Sequence, residues 1–120
     1  MNTVRAPLVA GISTGIHDIK YGSLEWFETD LAMLECNRAQ YIEQLTTANQ
    51  EYCKARKAVD LPDLSDEENN ECKALVRVNE HLIRELRCSY LPGVNRAIAA
   101  CKQDIAAERA KRAQSTASKL

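Results

Sequence analysis

The chain has 120 residues, 45% of them apolar, which is room for one domain with a core of its own. Aromatics at 5% and only three prolines speak for helices rather than a β-sandwich, and a net charge of −1 lacks the basic excess that nucleic acid or an anionic membrane demands of a partner. No apolar run nears the roughly 18 residues of a membrane span, and the first residues are too broken by Gly11 and Gly15 to read as a secretory signal.

Residues 1–22 are expected to form an arm, partly helical at most. Val4, Leu8, Val9, Ile12, Ile16 and Ile19 supply apolar positions, while Pro7, Gly11, Gly15 and Gly22 oppose a continuous helix. A long helix is then expected over about 23–59. Leu24, Phe27, Leu31, Leu34, Arg38, Tyr41, Leu45, Ala48, Tyr52, Ala55 and Val59 follow at alternating steps of three and four, without Pro or Gly. That is the seam of a coiled-coil-like helix seeking another helix. Ser23 is its N-cap, Glu25 and Glu28 suit its positive end, and Lys54, Arg56 and Lys57 suit its negative end.

Pro62 ends this helix. Ser65-Asp-Glu-Glu68 is a capping-box pattern opening a second helix over about 66–90, with Cys72, Leu75, Asn79, Leu82 and Leu86 as its seam. At Leu91-Pro-Gly93 the apolar spacing changes phase, resuming as Leu91, Val94, Ile98, Cys101 and Ile105. A tight turn between antiparallel helices accounts for this better than a kinked single helix, with a third helix over about 93–113 and a flexible tail over 114–120. The expected fold is therefore all-α: an antiparallel three-helix bundle, or a helical hairpin with one long coiled-coil-like helix. The turn would bring Arg109, Lys111 and Arg112 beside the acidic start of the second helix.

In that arrangement the second helix ends near the level of Leu34. Tyr21, Leu24, Trp26, Phe27 and Leu31 then project beyond it as a protein-binding surface, rich in the aromatic side chains that anchor interfaces. Arg38 and Asn79 stand as polar residues in the seams, the first expected to reach solvent and the second a candidate for setting register.

Chemistry is sparse. No Gly-rich phosphate loop, nucleophile elbow or convergent acid pair is legible, so no catalytic, cofactor or metal site is assigned and the chain is read as non-enzymatic. His17 lies in the N-terminal arm, and His81 has Glu85 one turn on but no Cys or His partner, so both are expected as surface histidines. Cys36 with Cys88 and Cys53 with Cys72 are nearly equidistant from Pro62, as in disulfide-stapled helical hairpins with twin CX9C motifs. Here the intervals are longer, and Cys36 and Cys53 lie off the seam, so reduced thiols are expected, with Cys72 and Cys101 as small core residues. The terminal Ser118-Lys119-Leu120 resembles a type 1 peroxisomal targeting signal, which carries weight only in a eukaryotic source.

The functional expectation is a helical protein-binding module, a small regulator, inhibitor or assembly subunit, that pairs with a protein partner and self-associates, acting in the cytoplasm. The alternatives are a scaffold component of a particle and a peroxisome-targeted accessory protein.

Overall fold

A computed structural model describes residues 19–118. Residues 1–18 of the arm expected over 1–22, His17 among them, and the last two residues of the Ser-Lys-Leu terminus, Lys119 and Leu120, lie outside them.

The described chain enters through a turn in which the Ser23 amide donates to the Lys20 carbonyl (3.1 Å) and Gly22 takes a φ of 81°. Positive φ at that place suits a residue without Cβ. Ser23 then caps the first helix: its Oγ accepts from the Trp26 amide (3.2 Å) and its carbonyl from the Phe27 amide (3.0 Å). Helix α1 spans Leu24–Val59 and its 36 residues make a rod about 54 Å long. Every residue of the apolar seam read from the sequence is buried or half-buried, except Arg38.

A turn through Pro62 leads to α2, Asp66–Glu85. Both halves of the capping box form at its start. Ser65 Oγ accepts from the Glu68 amide (3.1 Å), and the Glu68 carboxylate accepts from the Ser65 amide (3.1 Å). These two bonds hold the Glu68 carboxyl below its ordinary value of 4.5, the backbone bond contributing most.

The tight turn expected at Leu91-Pro-Gly93 is not there. Glu85 and Leu91 both hold right-handed helical angles, and a single π turn, Leu86–Tyr90, joins α2 to α3, Leu91–Ser118. The Leu91 amide donates to the Leu86 carbonyl, five residues back. Proline explains the placement. In an α-helix its ring would press on the carbonyl four residues earlier, and widening the turn by one residue relieves that contact. Without a reversal of the backbone at Pro92, an antiparallel bundle of three helices does not form from these elements. The segment 114–118, expected as tail, continues the helix.

The described residues are all-α, two long helical stretches packed on one another, and contacts divide the chain into two units. In the unit Leu34–Ile98, α1 packs on α2, the π turn and the start of α3. Ala48, Ala55, Asn79, Leu86, Val94 and Ile98 are its buried side chains, and Leu86 is wholly enclosed. Tyr41 stacks on Tyr90 with centroids 5.5 Å apart. Arg38 is exposed, and its Nε donates to Asn95 Oδ1 (2.8 Å). That contact lies well past Leu86, which a hairpin centred on Pro62 would place opposite Arg38. In the other unit, residues 19–33 pack on residues 99–118 around buried Cys101 and Ile105.

Leu75 departs from its expected place. It is 53% exposed, because the buried stripe of α2 runs through Cys72, Val76, Asn79, Ile83 and Leu86 and leaves Leu75 on the flank.

Candidate protein-binding surfaces

Ser23 and Gly22 together set the geometry of the aromatic group at the start of α1. The turn folds Tyr21 back on Trp26, with rings edge to face at 4.6 Å and 63°, and Trp26 meets Phe27 at 5.6 Å and 83°. Tyr21 is 70% exposed, while Leu24, Trp26, Phe27 and Leu31 are half-buried. All five predicted residues thus stand at one end of α1, but four of them do not project bare.

The C-terminal half of α3 lies along them. Cys101, buried, donates its thiol proton to the Phe27 carbonyl (3.1 Å). Arg109 pairs with Glu28 (3.1 Å) and Arg112 with Glu25 (2.7 Å). The hydrogen bond from Arg112 is the main cause holding the Glu25 carboxyl below 4.5. These arginines were expected beside the acidic start of the second helix; since α3 does not turn back, they meet the acidic start of α1 instead. Lys111 pairs with Glu108 on its own helix (3.0 Å). Such exposed pairs add little stability in water, but they report the register of the two helices in this unit.

A second surface, which sequence reasoning did not find, lies in the other unit between α1 and α2. It is an open, mainly apolar cleft of about 370 Å³. Ala55, Ala58, Cys72 and Asn79 form its floor, Leu75 and Val78 stand on one side, and Glu51 and Lys54 on the other. Val78 is 62% exposed. Asn79 is buried at the cleft, and its Nδ2 donates to the Leu75 carbonyl one turn back (2.9 Å). The sequence signal was the pair of small residues at 55 and 58 facing two branched side chains at 75 and 78, legible only once the register is known. A polar hollow of about 270 Å³ on α1, lined by Gln40, Glu43, Gln44 and Thr47, lies farther back along that helix.

All five cysteines are thiols rather than disulfides: Cys36, Cys53 and Cys88 are exposed, Cys72 is half-buried and Cys101 buried. His81 is exposed, and among the described residues no three His, Cys, Asp or Glu side chains cluster as a metal site. No described helix is long and apolar enough to cross a membrane. Compared with protein-family models, with curated proteins and with solved structures, the chain gives no match.

Proposed function

We propose that the protein acts without catalysis, as a helical module that binds another protein through side chains presented by its long helices, and that it self-associates. The observation that supports this most directly is Tyr21. An aromatic ring 70% exposed, yet held edge to face on Trp26, is a preorganised anchor. Tyr and Trp bury large area at low entropic cost, so such a pair suits the centre of an interface. Regulator, inhibitor or assembly subunit are the roles this chemistry serves, in a cytoplasmic setting.

Tyr21→Ser is the informative variant, because the ring contributes little to the protein's own core. Captures from a source extract with wild-type and variant chains are compared, with helicity followed by circular dichroism. Loss of one specific protein at unchanged helicity is the expected result. An identical set of captured proteins would refute the aromatic end as the binding surface.

A further inference from the structure

We infer that the flank of α1 carrying Trp26, Asp30 and Met33 is the docking site of the chain's own residues 1–18, an autoinhibitory contact beside the exposed Tyr21. The effect on binding rests on the aromatic end being the binding surface, as proposed above; the docking itself does not.

This flank is covered, and α3 is not what covers it. α3 meets α1 through Glu25, Glu28 and the Phe27 carbonyl. At about 100° per residue, Trp26, Asp30 and Met33 lie about 140–160° around the helix from Glu28. A helix about 10 Å across keeps α3 from that far side. Yet all three residues are half-buried, whereas Asn37 and Gln40, next along the same flank, are exposed. Tyr21 shields Trp26, but Met33 stands about 10 Å farther along the axis. The cover therefore starts at the turn and ends near Met33.

The turn aims the preceding chain at the same place. The Ser23 amide bonded to the Lys20 carbonyl, with Gly22 at the positive φ of a type II turn, reverses the chain within four residues. Residues before Lys20 then run back beside the first turns of α1. They do so on the side of Trp26, on which the Tyr21 ring rests. Ile19 is already half-buried, while Lys20 and Tyr21 are exposed.

Length and chemistry fit this occupant. About 10 Å of flank takes about three residues of extended chain or seven of helix, and residues 1–18 supply either. Leu8, Ile12 and Ile16 recur at four-residue steps towards Ile19, apolar partners for Trp26 and Met33, and Gly11 and Gly15 among them allow a close backbone approach. Tethered by so short a link, these residues meet the flank at an effective concentration in about the millimolar range, ahead of a second copy or another protein. Their release adds Trp26 and Met33 to the surface that Tyr21 begins.

Trp26 is the chain's single tryptophan, so its fluorescence reads this flank directly. In the full chain, Ile12→Glu combined with Ile16→Glu should shift the emission to the red and increase quenching by acrylamide, at unchanged helicity. Unchanged emission and quenching would overturn the docking. Should the variant lose helicity, the wild type decides: with isoleucine methyls labelled, nuclear Overhauser effects from the Trp26 indole to Ile12 or Ile16 are expected, and their absence overturns the docking. A wild-type emission that moves to the red on dilution would assign the cover to a second copy and overturn it as well. The arm variant should also capture more of the protein that Tyr21→Ser loses, and equal capture with a shifted emission would overturn the autoinhibitory role. A shifted emission with no protein lost on Tyr21→Ser would refute the aromatic end as the binding surface while supporting the docked arm.

Discussion

Deleting Ser89 together with Pro92→Ala should leave the protein folded, although a one-residue deletion in the middle of a helix ordinarily destroys it. Each α-helical residue turns the chain by about 100° and advances it about 1.5 Å. From Leu86 to Val94 are eight residues, and eight α-helical steps would leave Val94 about 80° away from the face that Leu86 occupies. The π turn takes up the extra residue, which is why Leu86, Val94, Ile98, Cys101 and Ile105 are all buried. With Ser89 gone, seven ordinary steps bring Val94 within about 20° of Leu86 and the π turn is no longer required. Pro92 must be replaced as well, since in an unbroken α-helix it costs about 3 kcal/mol. Urea unfolding followed by circular dichroism should place the variant within about 1.5 kcal/mol of wild type, the difference reflecting the displaced Tyr41–Tyr90 stack. Deleting Glu80, inside the regular part of α2, is the control. It turns Ile83 and Leu86 out of the core, and with each buried side chain worth about 1.5–3 kcal/mol the loss consumes much of a total stability of roughly 5–15 kcal/mol. If the two deletions were equally damaging, the phase argument for the π turn would be refuted.

Two further outcomes follow from burial and charge. Leu86→Ala removes a side chain with no exposed area and should cost about 3 kcal/mol, whereas Leu75→Ala, half exposed at the cleft, should cost under about 1 kcal/mol in the monomer. Equal losses in urea titrations at low protein concentration would mean that the core of α2 runs through Leu75 after all. The acid side is set by Glu25 and Glu68, both held below 4.5 in the folded chain. A lowered carboxyl binds fewer protons folded than unfolded, so its contribution is complete above the unfolded value and fades as pH falls through and below 4.5. Thermal melts should therefore lose stability between about pH 5 and pH 3, and Glu68→Gln, which keeps an acceptor for the Ser65 amide without the charge, should shrink that loss. A melt as stable at pH 3 as at pH 6 would contradict both assignments.

What the sequence discloses and what it hides divide at Pro92. The seam of α1 is legible because a long run without Pro or Gly has one periodicity and one consistent answer, and the Ser65–Glu68 capping box is legible because both of its bonds are local. Leu91-Pro-Gly93 misleads because a tight turn and a π turn share the same local signs, a proline and a break in phase. They differ in the size of the break. A turn frees the following helix to resume at any phase, whereas the spacing from Leu86 to Val94 is two turns plus one residue. A single surplus residue is what a π turn absorbs. The consequence reaches the functional surfaces. The aromatic end of α1 looks unpartnered only if α3 folds back from Pro92; since it does not, Cys101, Arg109 and Arg112 meet Phe27, Glu28 and Glu25, leaving Tyr21 as the exposed ring. Among the described residues no third helix folds onto α1 and α2 in their own unit, and Leu75 and Val78 stand exposed beside Ala55 and Ala58. The same proline thus closes one candidate surface and opens the other. That is why Leu75, which the apolar pattern alone had placed in the core, stands 53% exposed on the flank of α2.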